Sequence, residues 1–199
     1  GYSPTSVDLF KRMTNGSRVL EKQMIGNSSY EASIDSRIKA IVAIAPWGME
    51  NNLWNMEGLK GLKIPTLFIA GNKDDISGYK KGTKAIYEGA INSDRYLLTY
   101  ENARHNVAPN PAPVEALKKG LDINEYLRYA DSVWDQRRIN NINQHFITAF
   151  LGIKLKNKAE YLPYLDVAKI KTQSQWEGFK SRTSVGLQLD YSPSQNVEK

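Results

Sequence analysis

Pro65-Thr66-Leu67-Phe68-Ile69-Ala70-Gly71-Asn72-Lys73-Asp74 is the stretch that decides the fold. Its first six residues carry no polar alternation, which suits a strand buried on both faces. Gly71 stops the run, and a carboxylate follows three residues later. Two further runs have the same form. Upstream, Ile38 to Ala45 is nearly continuously apolar and is stopped by Pro46. Downstream, Tyr96-Leu97-Leu98-Thr99-Tyr100 ends near Asn102. Between the second and third runs, Tyr79, Thr83, Ile86, Tyr87 and Ala90 recur at helical spacing and predict a helix over 79–91. Strand, helix and strand make a βαβ unit. The fold class is therefore α/β, a mostly parallel sheet flanked by helices.

The flanking sequence adds helices and an edge. Residues 1–36 are polar and rich in breakers. Gly1 to Ser6 reads as a loop ending in a helix cap, with Val7, Leu9, Phe10 and Met13 as one short apolar face. Residues 102–123, with Pro109, Pro111 and Pro113, read as a long loop. From Asn124 to Leu155 the spacing is helical again, as two helices split near Ser132-Val133. Tyr126, Tyr129, Val133, Ile139, Ile142, Phe146, Ala149 and Phe150 trace one side. Beyond Gly152 the chain turns basic and then reads as short extended pieces, and Val185 to Tyr191 alternates like an edge strand. Residues 1–155 are expected to form a partial domain, with 156–199 an extension packed on it.

Composition narrows the function classes. The chain has 199 residues, 41% hydrophobic and 24% charged, which argues against disorder. No run approaches the roughly 18 apolar residues of a spanning helix. Without cysteine there is no disulfide, thiol nucleophile or thiolate metal site. The two histidines, His105 and His145, cannot supply a three-histidine zinc site. The net charge of +6 and the cluster Lys154, Lys156 and Lys158 raise polyanion binding. No nucleic-acid motif accompanies them, and a solvated basic face is the commoner reading.

In open α/β sheets ligands bind beyond the carboxyl ends of the strands. Three loops therefore matter: Pro46-Trp47-Gly48-Met49, Gly71 to Asp75, and Glu101-Asn102-Ala103-Arg104-His105-Asn106. They bring an aromatic residue, an acid and a histidine to one rim. A carboxylate and a histidine at successive strand ends suit a hydrolytic triad, in which the acid fixes the imidazole tautomer and the histidine moves the proton. The order nucleophile, acid, histidine is that of α/β-hydrolases, and Asp74 and His105 fit its last two places. Plainer readings stand beside this one. Asp74 or Asp75 can cap the following helix, Trp47 can be a core residue, and His145, beside Phe146 in a helix, reads as structural. Asp74, Asp75 and His105 as a metal site lack further ligands.

Ala45-Pro46-Trp47-Gly48, Ile64-Pro65-Thr66-Leu67 through Gly71-Asn72-Lys73-Asp74, and Asn102-Ala103-Arg104-His105-Asn106 resemble the C-terminal half of the α/β-hydrolase superfamily. Within it they are similar to the dienelactone-hydrolase-like esterases and the cutinase-like polyester hydrolases. The resemblance covers residues 36–110 most strongly. It implies that Asp74 is the triad acid, with Asp75 as its rival, and that His105 is the general base. It also implies that Trp47 and Met49 line the acyl side of the pocket, and that the substrate is a small or polymeric ester. No cofactor is implied. A secreted or periplasmic location is what the resemblance leans to.

One departure is serious, because no Gly-x-Ser-x-Gly motif occurs. The nearest candidate, Gly1-Tyr2-Ser3-Pro4-Thr5, has no preceding strand, and Pro4 offers no N–H to an oxyanion. In the esterases that the chain resembles, a Gly-Tyr-Ser stretch can follow the helix after the nucleophile, so the resemblance implies that Gly1 lies just downstream of that residue. The N-terminal strands and the oxyanion donors would then belong to a missing part of the same domain, without which the chain is inactive. The alternative is a non-catalytic α/β-hydrolase-like module that binds a small molecule. An upstream Gly-x-Ser-x-Gly after a strand discriminates the two.

Overall fold

The computed structural model describes residues 1–108 and 110–195. The three apolar runs form strands β1 (Ile41–Ile44), β2 (Thr66–Gly71) and β3 (Arg95–Tyr100). They pair in parallel, with Ile44 opposite Ile69 and Ile69 opposite Leu98. A fourth strand, β4 (Leu187–Ser192), pairs antiparallel to β3, with Tyr100 opposite Leu187. The sheet order β1-β2-β3-β4 leaves β2 fully covered, while the outer edge of β1 has no strand partner among the described residues.

Strand alternation sends side chains to two cores. Leu67, Ile69, Leu98, Tyr100, Leu187 and Leu189 face the long helix α6, the sixth helix in chain order (Gln136–Lys156), and meet Ile139, Ile142, Phe146, Ala149 and Phe150. Phe68 and Leu97 face the other way. They pack on Leu59 of α3 (Met56–Leu59) and on Ile86 and Tyr87 of α4 (Lys84–Gly89). Burying an aliphatic or aromatic side chain of this size contributes about 1.5–3 kcal/mol, so these two clusters fix the sheet between its helices. The arrangement is an α/β sheet consistent with part of an α/β-hydrolase fold.

The remaining helices are short. Ser3 caps α1 (Pro4–Met13), Asn27 caps α2 (Ser28–Ala32), and Asp122 caps α5 (Ile123–Leu127). Asp166 caps α7 (Val167–Gln173), which ends in left-handed Ser174.

Several local expectations are corrected. The first strand begins at Ile41 rather than Ile38, because Arg37 closes a turn on Asp35 and leaves Ile38 exposed. The helix expected over 79–91 opens with a π turn (Tyr79–Thr83), since Gly82 leaves helical geometry, and its regular part ends at Gly89. The stretch from Gly152 to Gln173 is largely helical, not extended, whereas the edge strand expected over 185–191 is present as β4. Helix α6 runs on to Lys156, and a 3-10 segment (Ala159–Leu165) and α7 follow. Met13 and Val133 are exposed rather than on a buried face.

Candidate active site

The site is built where β2 and β3 end. Gly71 closes β2, and a Cβ there would stand 2.3 Å from the carbonyl oxygens of both Ala103 and Arg104. Only glycine lets the histidine loop lie against this strand end. The two loops are then laced together by main-chain bonds from Asn72 N–H to Tyr100 at 3.0 Å and from Lys73 N–H to Ala103 at 2.9 Å.

Asp74 turns back into this junction. Its Oδ1 accepts the N–H groups of Ile76 and Ser77, each at 2.9 Å. Both carboxylate oxygens lie 3.1 Å from His105 Nδ1. One carboxylate therefore closes the turn over Ile76 and Ser77 and pairs with the histidine, but it caps no helix, because the helical segment that follows opens at Gly78 without a side-chain cap. The Asp74 side chain is fully shielded, whereas His105 keeps 30% of its side chain exposed. Burial pushes the Asp74 carboxyl up, but the His105 bond and the two N–H groups outweigh it and hold the group below the usual carboxylate range. The bond to Asp74 raises the His105 imidazole above its ordinary value, against the opposing effect of burial.

Asp75 points elsewhere. It takes a two-pronged ion pair from Arg104, with Nε to Oδ1 at 3.1 Å, and hydrogen bonds from Arg104 hold its carboxyl low. The two neighbouring acids thus have different partners, one on the imidazole and one on the guanidinium beside it.

The histidine loop is braced from behind by residues that sequence reading did not single out. Asp131 accepts Arg104 N–H at 2.7 Å and the N–H groups of Val133 and Trp134 at 2.9 Å. Asn106 donates to the carbonyls of Leu127 and Ala130 at 2.9 and 3.1 Å. Trp134 Nε1 donates to Glu101 O at 2.8 Å, and its ring meets Tyr100 edge-on. Asp131 stands three residues before Trp134, a local capping spacing, but nothing in the sequence ties it to Arg104. On the outer side, Ile76, Arg104, His105, Asn106, Leu127 and Arg128 line an open notch of about 380 Å³.

The structure does not bring Trp47 or Met49 into that notch. Trp47 is half exposed and lines an apolar cavity of about 370 Å³ with Trp54, Leu62 and Phe68. Its carbonyl accepts from Trp54 Nε1 at 2.9 Å. Met49 packs on the core cluster around Phe68 and Leu97. Ser3 is buried, caps α1 through Ser6 N–H, and bonds to Asn55. His145 is wrapped by the rings of Phe146, Tyr164 and Phe179. Among the described residues no group of three or more His, Asp or Glu side chains is placed to hold a metal ion, and no helix is long and apolar enough to cross a membrane.

The model of the PET hydrolase-like family matches residues 7–137. The chain belongs to the PET hydrolase-like family. This is a cutinase-like polyester hydrolase family within the α/β-hydrolase superfamily. Membership supports an ester hydrolase function for the PET hydrolase-like chain. The matched span takes in β1, β2, β3, both strand-end loops and Asp131, and it stops just inside α6. Most of α6, together with α7 and β4, lies beyond it. No curated protein matches the chain.

Proposed function

We propose that this chain carries the acid and the base of a serine carboxylic ester hydrolase, and that the nucleophile is supplied from outside these 199 residues. The observation that carries this reading is the Asp74–His105 contact, with a shielded carboxylate on Nδ1 and a ring still open to solvent. Asp74 would act as the orienting acid and His105 as the general base. Asp75 is the weaker candidate, because its charge is engaged by Arg104.

In this scheme a serine hydroxyl attacks the ester carbonyl and its proton passes to His105 Nε2. The imidazolium is stabilised by Asp74 and returns the proton to the departing alcohol. Water then attacks the acyl-enzyme, gives its proton to Nε2, and the serine is restored. The substrate class is a small or polymeric carboxylic ester, in keeping with the family. Trp47 and Met49 are proposed as part of the acyl wall, Trp47 through the apolar cavity that it lines with Trp54 and Phe68. The open outer edge of β1 is the proposed seat for the rest of the sheet.

The test is hydrolysis of p-nitrophenyl butyrate by the 199-residue chain and by a chain extended upstream. The extended chain is expected to be active. The shorter chain is expected to fall short by about 10⁶-fold, the usual effect of losing a nucleophile. Activity in the 199-residue chain that survives Ser3→Ala would overturn the external nucleophile. An extended chain that binds esters without cleaving them would replace the enzyme with a binding module.

A further inference from the structure

Ser77 stands three residues past Asp74, and its side chain is completely shielded from solvent. Its hydroxyl sits between two strand-end loops. It donates to the Ala45 carbonyl at 2.8 Å, and its oxygen lies 3.5 Å from His105 Nδ1, the long limit of a hydrogen bond. A hydroxyl has one proton and two lone pairs. With the proton held by Ala45, only a lone pair can face the ring. His105 Nδ1 therefore meets three acceptor oxygens, two from Asp74 and one from Ser77. A nitrogen so surrounded carries the proton, and Nε2 is left bare.

Ala45 adds a second observation. It has φ +44°, a left-handed conformation that costs on the order of 1 kcal/mol or more in a residue with a Cβ. Its N–H is held by Ile69 O at 2.8 Å and its carbonyl by Ser77. The Ser77 hydroxyl thus ties the strained end of β1, just before Pro46-Trp47, to the acid turn and the histidine. The same geometry excludes Ser77 as a nucleophile, because it is sealed, its proton is engaged, and it faces the wrong ring nitrogen.

We propose that Ser77 is a positioning residue for His105: by committing its proton to Ala45 it offers the imidazole an acceptor only, and so holds the ring in the Nδ1-protonated form with Nε2 directed at the reacting group. The inference rests on Asp74 and His105 being the acid–base pair. The other charges facing the ring are Asp74, Asp75 and, paired to Asp75, Arg104. Replacing Ser77 leaves all three in place.

Heteronuclear NMR of the histidine rings in the full 199-residue chain tests this. Ser77→Ala is expected to admit the Nε2-protonated tautomer at neutral pH. It is also expected to lower the midpoint of the His105 titration by about half a pH unit, the size of one weak hydrogen bond. Ser77→Cys, a poorer donor and acceptor, should fall between Ala and the parent, and the His145 signals should stay unmoved. A Ser77→Ala protein with the parent's tautomer and midpoint overturns the proposal. A merely space-filling Ser77 would give that result, with a lowered melting temperature alone. If Ser77→Ala does not fold, Ser77→Cys decides by the same two readouts. Neither readout needs an ester, so loss of the hydrolase reading and loss of this one are separately visible.

Discussion

At Asp74 and His105 the two partners' titrations pull in opposite directions on the pH axis. Asp74 is held low in the fold, so its share of stability is present above its unfolded value near 3.8 and is lost as pH falls through the lower folded value. His105 is held high, so its share is complete below its unfolded value near 6.5 and is lost as pH rises through the higher folded value. The contact therefore stabilises most between about pH 5 and 6. Asp74→Asn is expected to lower the His105 midpoint and to destabilise the chain most in that window, with the difference shrinking above neutrality. Denaturant melts across pH check the sign. In a chain that supplies the nucleophile, the same variant should lose about 10⁴-fold in kcat, the usual effect of removing the tautomer-fixing acid. The pair itself was legible as two residue types after two apolar runs. The choice of Asp74 over Asp75 as the acid rests on a resemblance, and the proposal gains support from the Arg104 ion pair that engages Asp75. Ser77 was not legible, because its role depends on an Ala45 carbonyl 32 positions away in the chain.

Among the elements, β2 and β3 were readable because burial on both faces leaves an unbroken apolar run, β1 because it has the same kind of run although its residues stay partly exposed, and α6 because its face repeats at helical spacing. The helical turns after Lys156 were not, since Pro163 and short capped segments imitate extended chain in the sequence. These turns matter for how α6 is covered. His145 on α6 lies under Phe179 at 4.9 Å between ring centres, with Tyr164 at 5.1 Å. Its Nε2 is shielded without a hydrogen-bond partner among the described residues. Burial pushes the His145 imidazole down, against a backbone bond with Glu177. A histidine kept neutral by the fold stabilises fully above its unfolded value near 6.5, and that share is lost as pH falls toward the lower folded value. The melting temperature is expected to drop from neutral to mildly acidic pH more steeply in the parent than in His145→Phe. Equal slopes would mean that another group governs the acid response of this layer.

Across the whole molecule, the sheet is protected unequally. On the β3 side, β4 covers β3 with six paired residues, buries Leu187 and Leu189 against the α6 core and forms the edge itself, with Gln188 exposed and Asp190 paired to Lys171 along it. On the β1 side the outer row of N–H and C=O groups has no strand partner among the described residues, and Ile38, Ile44 and Trp47 are exposed along it. An open edge flanked by apolar side chains pairs readily with another chain. The 199-residue chain is therefore expected to self-associate with rising concentration, as seen by sedimentation velocity. A charge on that strand is the usual protection of an edge, so Ile44→Lys should restore monomer while leaving the sheet's inner registers intact. Ile44 pairs through its inner side with Ile69 but is itself 39% exposed, so a lysine there can reach water without unpairing β2. If the variant associates as strongly as the parent, the contact lies elsewhere. The exposed apolar side chains at Val114, Leu117, Leu121 and Ile123 beside α5 would then be the surface to charge next.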